Sequence, residues 1–80
     1  MQATPAHSTV DTEFTRFVEG AYAGLSRTAV LLTGSASTGE DLLQEALVRT
    51  YVGWGRIERG LATAYTRRIM TNLVTDRLRR

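Results

Sequence analysis

Apolar residues recur along this chain at helical spacing, and no stretch alternates at the period of a strand. Phe14, Phe17, Val18, Ala21, Tyr22, Leu25, Ala29 and Leu32 recur mostly at steps of three and four, the mark of one apolar stripe on one helix. Asp11 or Thr12 is placed to cap its start, and Gly34 is a natural stop at its end. Gly20 and Gly24 lie inside it, and each weakens a helix by about 1 kcal/mol relative to alanine. Tertiary packing must therefore hold this helix, and the two glycines would let another helix approach closely.

A second helix is predicted from Ser37-Thr38-Gly39-Glu40, where serine followed three residues later by glutamate reads as a capping box. It runs to about Tyr51 or Val52. Leu43, Ala46, Leu47, Thr50 and Tyr51 form its expected buried face, with Leu42 at the margin. Asp41, Gln44, Glu45 and Val48 share another side. Gly53-Trp54-Gly55 ends it. A connector over 55–62 leads to a third helix from about Ala62 to the end of the chain. Tyr65, Ile69, Asn72, Leu73 and Asp76 share its expected inner side, whereas Arg68, Thr71, Thr75 and Arg79 line another. The expected fold is all-α, a small bundle of three main helices with a short extra helix or turn within 53–62. Residues 1–10, with Pro5 and few apolar side chains, read as a mobile arm, leaving 11–80 as the folded domain.

Eighty residues make one domain near the lower size limit for a single hydrophobic core. At 42% hydrophobic residues the chain can build one. There is no cysteine, which excludes disulfides and thiolate metal sites. The first ten residues have neither the basic patch nor the apolar run of a signal peptide. Ala29-Val30-Leu31-Leu32 is far too short to span a membrane. A soluble cytoplasmic protein with no membrane partner is the expectation.

Charge sharpens the picture. Residues 1–60 carry five arginines against seven carboxylates, a net of −2, and residues 61–80 carry five arginines against Asp76 alone, a net of +4. A basic end on a mildly acidic body points to a polyanion at the end and a different partner on the body. All ten basic residues are arginine, whose planar fork suits phosphates and guanine edges.

Catalysis finds no footing. The only histidine, His7, lies in the arm and reads as a solvated tail residue, so no positioned base serves the serines and threonines. Glu40, Asp41 and Glu45 come from one short helix with no histidine to complete a metal or acid–base site. Gly34 to Gly39 has the glycine spacing of a phosphate loop, but Glu40 and Asp41 stand where a lysine and a hydroxyl residue are required. No cofactor or metal is expected.

One resemblance covers residues 12–80. The segment Leu32 to Tyr51, Leu-Thr-Gly-Ser-Ala-Ser-Thr-Gly-Glu-Asp-Leu-Leu-Gln-Glu-Ala-Leu-Val-Arg-Thr-Tyr, resembles the second conserved region of bacterial RNA polymerase sigma factors. The resemblance continues through Trp54-Gly-Arg-Ile-Glu-Arg59 and resumes from Ala64-Tyr-Thr-Arg-Arg68 to Arg80. It is nearest the extracytoplasmic-function group of actinobacterial type, and the chain lacks the dense aromatic run of housekeeping sigma factors. Three elements in order at family spacing make the signal specific.

The resemblance implies two surfaces. Asp41, Leu42, Gln44 and Glu45, with Arg49 beside them, correspond to the helix that docks on the clamp helices of the polymerase largest subunit. Arg56, Arg59, Gly60, Arg67, Arg68, Thr71, Asn72, Thr75 and Arg79 correspond to the connector and helix that meet the minus-ten promoter element on its non-template strand. An anti-sigma protein is a candidate further partner. Trp54 and Tyr65 are expected to anchor the core rather than to stack on bases. Asn72 and Asp76 are expected to hydrogen-bond neighbouring backbone or arginine groups. The chain departs from the family at Gly60-Leu61-Ala62-Thr63, where a proline is usual, and in length. The family's second DNA-binding domain is absent, so a fragment, or removal of that domain, is expected. Two other readings stand beside this one: a helical protein-interaction module, and a stand-alone repressor fragment reading duplex DNA.

Overall fold

The computed structural model describes residues 6–58 and 60–79, with side chains from Thr9 onward. Helix α1 spans Ala6–Thr33, α2 Ala36–Val52 and α3 Ala62–Leu78, and a 3-10 turn covers Trp54–Arg56. This is the expected all-α bundle, with the short extra turn where the connector was predicted. His7, Arg59 and Arg80 have side chains outside the described residues.

Helix α1 begins at Ala6, upstream of the expected cap at Asp11 or Thr12. The part of the expected arm at residues 1–5 lies outside the described residues, and residues 6–10 are helical. Asp11 does not cap because its carboxylate is used elsewhere. It accepts a hydrogen bond from the Tyr51 hydroxyl at the far end of α2. Glu13 likewise accepts from the Trp54 indole at 3.3 Å. Around these bonds Phe14 packs edge-on against Tyr51 and Trp54, with ring centroids 5.1 and 5.4 Å away. Phe17 lies 5.4 Å from Trp54. This aromatic cluster fastens the first half of α1 to the α2 terminus, as expected for Trp54. Tyr51 takes part while remaining 39% exposed, so it belongs to the edge of the bundle rather than to the buried face.

Gly34 ends α1 with a φ of 78°, the left-handed conformation that glycine adopts without Cβ strain, and its N–H donates to the Val30 carbonyl at 2.7 Å. Ser35, not Ser37, caps α2. Its backbone is extended and its hydroxyl accepts from the Thr38 N–H at 3.2 Å. The two-residue link then folds α2 straight back onto α1. A Cβ at Gly39 would lie 3.0 Å from the Val30 nitrogen and 3.1 Å from the Ala29 carbonyl carbon. Gly39 is therefore the crossing point of α1 and α2, which is why that residue is glycine.

The core joins Leu25 and Ala29 of α1, Leu42, Leu43 and Ala46 of α2, and Met70 and Leu73 of α3. Each fully buried leucine contributes roughly 1.5–3 kcal/mol. Leu42 is wholly buried rather than marginal, because α2 is covered from two sides and so buries a wider arc than one apolar stripe. On α3 the inner residues are Ala62, Thr66, Met70 and Leu73, with Ile69 half-buried. The expected register around Tyr65, Asn72 and Asp76 is corrected by about a third of a turn: Tyr65 is 38% exposed and both polar residues face out. Thr66 can face in because its hydroxyl lies 2.8 Å from that of Thr50 on α2, and each also reaches the carbonyl four residues earlier at 2.9 Å. A pair of satisfied hydroxyls thus pins α2 to α3, their hydrogen bonds offsetting the cost of taking them out of water. Among the described residues no buried side-chain polar atom lacks a partner.

Candidate functional site

Folding turns the two charged segments of the sequence into two separate helix faces. The outward side of α2 carries Asp41, Gln44, Val48 and Val52, all exposed, with Val48 at 63% and Val52 at 75%. Glu45 stands half-buried at its edge and accepts from Arg49 at 3.2 Å and from Arg77 of α3 at 2.8 Å. These pairs are solvent-screened, so each contributes less than about 1 kcal/mol to stability, but they hold the Glu45 carboxylate in one place. Leu42 has no accessible side chain and cannot touch a partner. It sits among polar residues of the motif because the helix needs an inward anchor there. Val48 and Val52 supply the exposed apolar surface instead. Val48 shares the acidic side in the helical pattern without a charge to mark it, and no local signal points to Arg77, whose partner is 32 residues away.

On α3, Arg68, Thr71, Asn72, Thr75 and Arg79 are all exposed and follow one another at steps of one, three or four, so they form one stripe. Asn72 and Asp76 make no side-chain hydrogen bond among the described residues, contrary to expectation. Asn72 thereby joins the outward stripe. Arg67 lies on the shoulder of α3 that faces α1. The 3-10 turn of the connector packs on α1 and α2 and leaves Arg56 exposed, and the chain then enters α3 after Gly60, whose φ of 88° favours glycine. Arg59 falls outside the described residues.

The Tyr51 phenol is held above its ordinary pKa, first by its hydrogen bond to the Asp11 carboxylate. Among the described residues no group of three or more histidines or carboxylates could hold a metal ion. No described helix is long and apolar enough to cross a membrane. What the described residues present is two exposed helix faces of different chemistry, one on α2 and one on α3.

A protein of Streptomyces avermitilis named RNA polymerase sigma-E factor is 43% identical over 65 residues, covering 80% of this chain and 36% of that protein. The Streptomyces coelicolor protein of the same name is 43% identical, covering 80% of this chain and 37% of that protein. That of Streptomyces antibioticus is 42% identical over the same length. The chain thus spans just over a third of the length of the curated relatives it matches. No solved structure matches it. Sigma-70 region 2 matches residues 17–80, which take in the acidic face of α2, the connector and the basic face of α3, and the chain belongs to that family.

Proposed function

We propose that this chain is a sigma-factor domain that docks on core RNA polymerase through α2 and captures the opened minus-ten element through the connector and α3. The observation that carries this reading is the coincidence of family membership with two exposed faces of different chemistry, ion-paired carboxylate and valines on α2 and, among the described residues, unpaired Arg68 and Arg79 on α3. Asp41, Gln44 and Glu45, with Arg49 at their flank, would meet the clamp helices of the polymerase largest subunit. Val48 and Val52 would contribute the apolar contact. Glu45 is already braced by Arg49 and Arg77, so little side-chain entropy is lost when it binds.

On the other face, Arg67, Arg68 and Arg79 would neutralise phosphates of the non-template strand. Thr71, Asn72, Thr75 and the loop of Arg56, Arg59 and Gly60 would meet bases. The domain acts by binding: holding unpaired bases offsets the cost of separating the strands. A cytoplasmic location follows from such a role. An anti-sigma protein covering either face would silence it.

The test is a competition assay with polymerase reconstituted with this chain and single-stranded or duplex promoter DNA. The single strand should win. Preference for duplex by the chain alone, without polymerase, would support a free-standing repressor instead. A chain that retains an acidic-face partner but never holds DNA would support an interaction module.

A further inference from the structure

A further charged surface adjoins the α3 face at Arg67 and extends onto α1, which neither assigned face includes. Arg16 and Arg27 of α1 and Arg67 of α3 line one open groove of about 560 Å³. No carboxylate lines it, and among the described residues none of the three guanidinium groups is ion-paired. Arg16 and Arg27 are eleven residues apart, three turns of helix, so they project on the same side of α1 about 16 Å from each other. Between them the floor is Gly20, Ala23 and Gly24. A Cβ at Gly20 would meet nothing within 4 Å, so no other part of the bundle packs there. The groove is shallow and has no aromatic platform beyond Phe17 at its inner wall.

We infer that this groove is a sequence-independent seat for the sugar–phosphate backbone of the promoter DNA, continuing the α3 surface around onto α1. The inference rests on the proposed function and extends it. Arg16 also borders a neighbouring depression that Asp11 and Glu19 line, but within the groove itself three guanidinium groups without an ion pair suit a polyanion. One strand presents a charge about every 3.4 Å of duplex axis, so the distance from Arg16 to Arg27 meets more than one phosphate. Arg67 joins this groove to the stripe of Arg68, Thr71, Asn72, Thr75 and Arg79, so one strand can run from one to the other. Apart from the arginines only Thr63 could reach a base edge, and the rest of the lining is apolar or glycine, so the groove adds affinity and salt dependence more than sequence preference.

The experiment uses polymerase reconstituted with the full chain and a randomised pool of single-stranded DNA, with affinity measured across a range of salt. Arg16→Ala/Arg27→Ala should lower the magnitude of the log–log salt slope by about 1.4, the loss of two phosphate contacts on a single strand. Arg16→Lys/Arg27→Lys should restore most of it. Melting of both variants should match the parent, because these positions are exposed. A double alanine variant with the parental slope and affinity overturns the proposal. So does a double variant that loses core polymerase while keeping its DNA slope, since the groove would then be a protein-docking surface. If the parent chain binds polymerase and holds promoter DNA while the groove variants change nothing, only this inference fails. If the parent itself holds no DNA, the proposed function fails with it.

Discussion

The outward faces of α2 and α3 are built on helices of equal length, 17 residues each, yet they are finished in opposite ways. On α2 the key carboxylate is braced: Glu45 sits between Arg49 and Arg77 and exposed valines lie nearby. On α3 the arginines at 67, 68 and 79 stand in solvent with no ion-pair partner among the described residues. A pre-formed, partly apolar face suits a protein surface, where shape is met by shape and ordering costs reduce affinity. Free arginines suit a polyanion, where the main contribution is counterion release and each side chain can follow a flexible strand. The difference between the faces is thus itself a statement about partners.

The sharpest way to break the comparison is to ask whether Leu42 belongs to the interface or to the core. Leu42→Ala should cost about 2–5 kcal/mol of stability, read by thermal or denaturant unfolding. Gln44→Ala, two residues away and exposed, should leave unfolding within about 0.5 kcal/mol of the parent. Similar losses from both would mean that the α2 faces are assigned wrongly.

Next in size is the crossing of α1 and α2. Gly39→Ala forces a Cβ against the Ala29–Val30 backbone and should cost about 1–3 kcal/mol despite alanine's better helix propensity. A stabilised variant would show that the helices can separate there freely.

A smaller effect distinguishes the two faces electrostatically. Arg68→Ala should reduce the salt slope of promoter-strand binding by about 0.7–0.9 without altering base preference. Substitutions at Arg56 or Gly60 should shift base preference instead. The reverse pattern in base-by-base competition would exchange the roles of helix and loop. The smallest effect is Arg77→Ala, which frees one side of Glu45 and should change stability by less than about 1 kcal/mol. Its consequence should appear as weaker polymerase binding, since Glu45 would have to be ordered on contact.

Much of this architecture was legible from residue order. Gly34 as a stop, the end of α2 at Val52 and the start of α3 at Ala62 all follow from strong local signals. The failures share a physical cause, which is that the decisive partner is distant in sequence. Asp11 looks like a cap until Tyr51 is seen to donate to it. Ser37 with Glu40 looks like a capping box, but Ser35 beside Gly34 already has the extended backbone that a cap requires. The pattern of α3 places Tyr65 and Asn72 inward, one residue from the observed register, because a threonine gives no apolar signal for the inner position that Thr66 takes with its hydroxyl satisfied by Thr50 and by the Ala62 carbonyl. For the candidate site, the exposed arginines of α3 and Asp41 and Gln44 of α2 could be named from the motif. The bracing of Glu45 and the groove shared by Arg16, Arg27 and Arg67 could not, since each joins helices that local patterning treats separately.

The central claim is that α2 and α3 serve different partners through separable surfaces. It is tested most directly by measuring core polymerase affinity for two exposed-face variants side by side. Asp41→Arg/Gln44→Arg is cleaner than a change at Glu45, which would also set arginine against Arg49 and Arg77. It should weaken polymerase binding by more than about tenfold, a loss above about 1.4 kcal/mol, with melting unchanged. Arg68→Ala/Arg79→Ala should bind polymerase as the parent does. Equal losses in both variants, or a loss confined to the α3 variant, would contradict the assignment of the two faces.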